Sequence, residues 1–580
     1  MAVKLDKTDV VVVGMGWAGG IICAELAKAG KKVVGLERGE NAEQEDFTDV
    51  KDDLRYTNRF ELMQDLKHET ITSRNTTEET ALPVRTRDEM MAGTDLGGGS
   101  VHWAGATYRY WPADFELYSQ TVERYGEGKI PDGMTIQDWG ITYDEMEPYY
   151  DQFEKTAGIS GEPDPLGAER SSDYPTPPLK ESPPIRMFKE ATERLGYHPY
   201  QVAAANLSER YENPDGEVLN PCQYCSYCTQ FGCDFGAKSD AVVTVIPTAQ
   251  KTGNFELRTN AYVRRVLYDG DQATGVLFVD TKTGEEFEQP ADVVVLSAFT
   301  FTNNRLLLLS KIGEPYNPDT RKGVIGRNFN GQFNITFLGA RGFFNDKKFN
   351  LYAGAGALGA TMSDFAADNF DHTDLDFISG GAIEYRQYGN TALASNVVPK
   401  DTPNWGSEFK ENSVFYTYRS LLVWYTPAVM SWWHNYLDLD PTYTDDFGDP
   451  LIRVTNKYTD QDKNIAKFGI EKCEEIMKEM GADIVDVDEI PEEFDHIYQG
   501  GHYAGGISMG DDPSTSAVNN YLQMWDMDNL FVVGGSAFPQ FPGHHPTPTI
   551  GALAYRAADG IKKYLEDPRS LAQAKQTSTL

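Results

Sequence analysis

Asp9-Val-Val-Val-Val-Gly14-Met-Gly16-Trp-Ala-Gly19 is the stretch on which the fold of this chain turns. Four consecutive valines read as a strand buried on both faces. Gly14, Gly16 and Gly19 form G-x-G-x-x-G, and an apolar helical pattern follows to about Ala29. Lys32-Val-Val-Gly-Leu36 is then a second strand, closed by Glu37. This βαβ opening is the unit that binds a dinucleotide. Its first glycine makes the tight turn, its second lets a pyrophosphate approach the backbone, and its third lets helix pack on strand. The helix N-terminus holds the phosphates. Glu37 stands 18 residues after Gly19, where a carboxylate accepts hydrogen bonds from a ribose.

The rest of the chain sets bounds on that reading. Its 580 residues suffice for two or more cores. Hydrophobic residues at 40% and charged residues at 24% are ordinary for a globular protein. No apolar run approaches the roughly 20 residues of a membrane span. The start, Met1-Ala-Val-Lys-Leu-Asp-Lys-Thr8, leads straight into the first strand, so no secretory signal of its own is expected. The expected location is therefore the cytoplasm, or outside it beside a membrane if a partner subunit carries the export signal. With 52 basic and 88 acidic residues the net charge is −36, which excludes nucleic acid and anionic lipid as partners.

Strand patterns return over 256–296, ending in Asp292-Val-Val-Val-Leu296. Residues 331–495 are rich in Trp, Tyr, Phe and Asn, and the glycine-rich apolar style resumes after them. The fold class expected is α/β (α+β), with two interleaved domains. Residues 1–330 and 496–580 form a nucleotide-binding domain built from both chain ends. Residues 331–495 form an inserted, sheet-containing substrate domain.

Four segments, in this order, resemble the glucose-methanol-choline (GMC) oxidoreductases. They are the opening motif; Leu96-Gly97-Gly98-Gly-Ser-Val-His102-Trp-Ala-Gly105; Val294-Val-Leu-Ser-Ala298; and a C-terminal block. That block holds His502-x-x-Gly-Gly506, Asp528-Asn-Leu-Phe-Val-Val-Gly534-Gly535-Ser-Ala-Phe-Pro539 and His545-Pro546-Thr547. Within the family, the cysteine block and Arg321-Lys-Gly-Val-Ile-Gly-Arg-Asn328 resemble the gluconate 2-dehydrogenase flavoprotein subgroup and related sugar dehydrogenases. The resemblance implies FAD, contacted by Gly14, Gly16, Gly19, Glu37, Gly97, Gly98, His102, Ala298, Gly534, Gly535, Pro546 and Thr547. It also implies a small subunit and a cytochrome or other electron acceptor as partners.

Oxidising an alcohol takes a base for the hydroxyl proton and an acceptor for the hydride. Imidazole suits the base because it titrates near neutrality. By resemblance, His502 is the base and His545 bonds the substrate hydroxyl, with the roles exchangeable. Two loop histidines capping backbone groups is the plainer reading. His544 should point elsewhere. His102 resembles a histidine that carries flavin covalently in pyranose oxidase, and the alternative is a noncovalent contact.

Cys222-x2-Cys225-x2-Cys228-x4-Cys233 leaves three readings open. Three thiolates at two-residue gaps resemble a ferredoxin run, so an iron–sulfur cluster, 3Fe–4S or 4Fe–4S, is expected. A zinc site and disulfides or plain thiols are the others. Trp405, Trp424, Tyr425, Trp432, Trp433 and His434 offer ring faces for a sugar, although core packing would use most of them. The expected reaction is oxidation of a secondary alcohol of a sugar or sugar acid, with electrons leaving through the cluster to a partner. A glucoside 3-dehydrogenase, a pyranose-oxidase-like enzyme and a silent flavin scaffold are the alternatives. A sugar-acid enzyme should place a basic residue in its pocket.

Overall fold

Val10 to Val13 lie in the strand Thr8–Val13, and all four are buried. A computed structural model describes residues 2–47, 64–67, 69–87, 92–229, 231–333, 335–350, 352–389, 397–495, 497–498, 501–568 and 571. In it, Thr8–Val13 pairs in parallel with Val33–Leu36 on one side and with Glu286–Leu296 on the other. Such a strand has neighbours on both edges and helices over its faces, which is why its sequence is apolar without alternation. The sheet runs Phe255–Arg258, Val33–Leu36, Thr8–Val13, Glu286–Leu296, Gln272–Asp280, Ala261–Asp269. Leu530–Val532 adds in parallel to Glu286–Leu296, so the C-terminal region returns to the N-terminal sheet. The helix Trp17–Lys28 packs against the closing helix Thr547–Glu566. The first buries Ile21, Ile22 and Leu26, and the second buries Ala554 and Ala558.

A second, wholly antiparallel sheet has the order Ile484–Val487, Gly339–Phe343, Ser420–Pro427, Gly381–Arg386, Gly359–Met362, Pro199–Gln201. The helix Asp460–Glu479 covers it. That helix starts in a capping box between Thr459 and Asp462 and buries Ile465, Ile470, Cys473, Ile476 and Met477. Every residue of Gly381–Arg386 is buried. Side chains two apart on a strand share a face, so Glu384 and Arg386 emerge together. A third sheet takes strands from Thr72–Arg74, Leu82–Pro83, Arg327–Gly331, Tyr436–Thr444, Pro450–Thr455 and Tyr503–Gly506. It joins the two chain ends to the middle segment, and Pro199–Gln201 pairs with Gly359–Met362 across the same divide. Among the described residues, no helix is long and apolar enough to cross a membrane. The polar residues beyond Pro568, Leu571 apart, lie outside the described residues.

Candidate active site

The glycine turn is closed by its own geometry. Gly14 has φ +91°, and a Cβ there would stand 2.7 Å from the Ala298 Cα. A Cβ on Gly19 would stand 1.9 Å from the Gly14 carbonyl oxygen, so helix and strand approach as only glycine allows. The helix Trp17–Lys28 has no side-chain cap at Gly16, leaving its first N–H groups for an anion. Glu37 is buried. Its Oε2 accepts from the Met15 N–H and its Oε1 from the Gly39 N–H, each at 3.0 Å. Burial raises its pKa, and each oxygen keeps a lone pair for a ribose hydroxyl.

A cavity of about 680 Å³ joins this turn to the histidines. Gly14, Gly16, Glu37, Gly98, His102, Ala298, Gly534, Gly535, Pro546, Thr547, His502 and His545 all line it. Gly19 and Gly97 do not. Gly19 sets the helix–strand distance, while Gly97 (φ +86°) makes a turn in which a Cβ would meet Val101 at 2.7 Å. Thr547 opens the closing helix, which has no side-chain cap, so a second helix N-terminus faces the cavity. A glycine-walled cavity with two uncapped helix starts fits an extended, anionic dinucleotide. His102 is buried with Nε2 3.1 Å from Asp95 Oδ1, and its Nδ1 has no hydrogen-bond partner.

The two histidine rings stand 5.1 Å apart, nearly perpendicular at 85°. His502 Nδ1 lies 2.6 Å from Gln332 Oε1. An amide oxygen only accepts, so Nδ1 carries the proton and Nε2 holds the lone pair. Burial, with the Arg386 cation nearby, lowers the His502 pKa to about 3. His545 packs against Arg386, whose Nη2 lies 3.0 Å from Nε2 and 3.4 Å from Nδ1. Burial and that cation hold His545 well below its usual pKa as well. Both rings are therefore neutral, the form that can accept a proton. His544 turns aside, stacked between Tyr108 (4.3 Å) and Trp111 (4.1 Å).

Arg386, Glu384, Gln332 and Tyr388 are site residues that no motif announced. Glu384 Oε2 accepts from Arg386 Nε at 2.8 Å and from the Tyr108 hydroxyl at 2.9 Å. Of the six residues whose rings were weighed as faces for a sugar, only Trp424 lines the cavity. Trp405 is 84% exposed, and Tyr425 and Trp432 are buried in the core. Trp433 lies under Arg321 at 4.4 Å.

The iron–sulfur expectation at the cysteines is not shown by the structure. Among the described residues, no group of three or more His, Cys, Asp or Glu side chains is placed to hold a metal ion. Cys222, Cys225, Cys228 and Cys233 are free thiols, so the iron–sulfur cluster has no support from this geometry, nor have zinc or disulfides. Three of the sulfurs accept hydrogen bonds. Cys222 accepts from the Tyr224 N–H, Cys228 from the Asn206 amide and Cys233 from the Ala237 N–H. Burial raises the Cys222 thiol to about 12 and raises Cys228 too.

The GMC oxidoreductase sequence profile matches residues 80–333 and 434–554, and the chain belongs to that family. It is thus an FAD-dependent oxidoreductase acting on CH–OH groups. It is 42% identical to the gluconate 2-dehydrogenase flavoprotein of Pantoea cypripedii, over 99% of this chain and 97% of that one. Identity to the 2-methyl-1,2-propanediol dehydrogenase of Mycolicibacterium austroafricanum is 29%, over 98% and 97%. Identity to the fructose dehydrogenase large subunit of Gluconobacter japonicus is 26%, over 96% and 98%. Among solved structures, pyridoxine 4-oxidase from Mesorbium loti shares the fold, with a TM-score of 0.60 at 18% identity, covering 96% of this chain and 99% of that one.

Proposed function

We propose that the chain is the flavoprotein component of a sugar-acid dehydrogenase of the gluconate 2-dehydrogenase kind, oxidising a secondary alcohol. The observation that carries this reading is the 42% identity to such a flavoprotein along 99% of the chain. Bound FAD supplies the hydride acceptor. The hydroxyl proton passes to Nε2 of His502 as the carbon gives up its hydride. His545 hydrogen-bonds the same oxygen and steadies its developing charge. Residues 1–330 and 496–580 are read as the FAD-binding unit, and 331–495 as the substrate side. His102 is read as a flavin contact and candidate tether. Electrons then pass to a partner protein, and iron and acid-labile sulfide in anaerobically purified protein would be needed to route them through the cysteines.

Anaerobic addition of an aldonic acid should bleach the flavin, and an artificial acceptor should restore its colour and sustain turnover. Bleaching by glycosides or free aldoses but not by any aldonic acid would overturn the reading.

A further inference from the structure

We infer that Arg386 is the residue that recognises the substrate's negative charge, so that the site selects a carboxylate-bearing polyol over its neutral counterpart. This rests on the sugar-acid reading above and goes beyond it by naming the selecting group. Among the described residues, the cavity has two cationic side chains, Arg38 and Arg386. Arg38 adjoins Glu37 at the glycine turn, away from the reacting histidines. Arg386 touches His545 at 3.0 Å, within reach of anything whose hydroxyl is held between His502 and His545.

Its donors are divided in a way that leaves one for a ligand. Nε bonds Glu384 Oε2 at 2.8 Å, and Nη2 bonds the same oxygen and lies against His545. Nη1 has only the Tyr388 hydroxyl, at 3.4 Å. A guanidinium carries five N–H groups, two of them on Nη1, so beside the long bond to Tyr388 one Nη1 N–H remains for an incoming oxygen. Beside it, the Tyr388 and Trp424 rings stack at 6.0 Å, and Trp424 also lies under the guanidinium at 5.8 Å. The whole makes a rigid cationic corner with an aromatic wall. Glu384 is fully buried, and its other oxygen accepts from Thr426 at 3.3 Å. It therefore anchors the arginine rather than competing as a mobile carboxylate. A neutral hydroxyl would gain one ordinary hydrogen bond from Nη1, whereas a carboxylate gains a charge-assisted one of about twice the strength.

The test compares gluconate with gluconamide, its neutral isostere, by anaerobic flavin reduction in the FAD-loaded protein. The wild type should prefer gluconate roughly 10- to 100-fold in kcat/KM, the range of one charge-assisted hydrogen bond. Removing Arg386 alone would strand a buried Glu384 charge. The variant is therefore Glu384→Gln with Arg386→Gln, which keeps a neutral hydrogen-bonded pair. It should lose most of the preference, chiefly through KM for gluconate. Arg386→Lys is the milder variant, keeping the charge without the fork, and should lose part of it. An unchanged gluconate-to-gluconamide ratio in Arg386→Lys and in the double variant would overturn the inference, as would a wild-type ratio near one. Wild-type flavin that neither compound reduces would instead overturn the sugar-acid reading beneath it.

Discussion

The role proposed for His502 rests on one neighbour and on its burial. Gln332 fixes the proton on Nδ1, and burial with a nearby cation keeps the ring neutral at any working pH. Since kcat/KM reports the free enzyme's essential groups, its pH profile should show no acid limb near 6.5. A limb centred there would mean that His502 titrates like an exposed imidazole. Gln332→Glu puts a carboxylate beside Nδ1. An opposite charge at that range favours the protonated ring by about 1–3 units, so this variant should acquire an acid limb between about pH 4 and 6. His502→Ala and His545→Ala should each keep FAD while flavin reduction slows roughly 100- to 10,000-fold. Near-normal reduction in either would remove that residue from the chemistry. The two histidines were legible in sequence because each sits in a glycine- or proline-marked segment. Gln332, Glu384 and Arg386 were not, since each is an ordinary-looking residue of a strand or its end. Only the pairing of Gly381–Arg386 into a buried sheet carries Arg386 to His545. Nothing local in Tyr385-Arg-Gln-Tyr388 encodes that distance.

Among the elements, the opening βαβ unit was legible because its rules are local: a run of valines, three glycines, an apolar helix. Its tolerance to substitution follows from the same geometry. Gly19→Ala pushes a methyl to 1.9 Å from the Gly14 carbonyl oxygen, a backbone atom that cannot swing aside. It should cut the flavin-to-protein absorbance ratio of the purified protein sharply. Gly128→Ala, with nothing within 4 Å of its Cβ, should leave that ratio unchanged, and equal flavin in the two variants would refute the packing argument. The segment carrying His372 is a different case. That ring is buried among Phe370 and Phe377, its Nε2 lies 3.1 Å from the Ala367 carbonyl, and burial lowers its pKa to about 4. Between pH 6.5 and 4 the unfolded chain binds a proton there that the folded chain refuses. Stability present above pH 6.5 is therefore lost as pH falls through this window, by ~2 kcal/mol at pH 5. His372→Phe should show a smaller drop in melting temperature from pH 7.5 to 5 than the wild type, by about 1–2 °C in a chain of this size. An equal drop would place the proton uptake elsewhere. The cysteine run shows the converse limit of local reading. Two-residue spacing permits convergence on a metal, but spacing alone does not choose among a cluster, a zinc site and free thiols.

At the scale of the whole molecule the charge of −36 is a force acting on folding itself. Many of the 52 basic side chains are already committed to ion pairs, so the excess of carboxylates faces other carboxylates. At about 10 mM salt the Debye length is ~30 Å, and repulsion adds up across the surface. At about 150 mM it is ~8 Å, and only neighbours feel one another. Salt also weakens exposed pairs such as Lys282–Glu40, at 3.2 Å with side chains 60% and 73% exposed, but each of these contributes only about 0–1 kcal/mol. Buried pairs such as Arg305–Asp445, 2.7 Å apart, are screened far less. The repulsion relieved should therefore exceed the attraction lost. Raising sodium chloride from about 10 to 200 mM should increase the melting temperature by about 2–4 °C, a few kcal/mol at the usual unfolding entropy per residue. Potassium chloride should do the same, since the effect depends on ionic strength rather than on the cation. A melting temperature that falls with either salt would mean that surface ion pairs outweigh the acidic excess. A rise with sodium alone would point to a bound cation instead of screening.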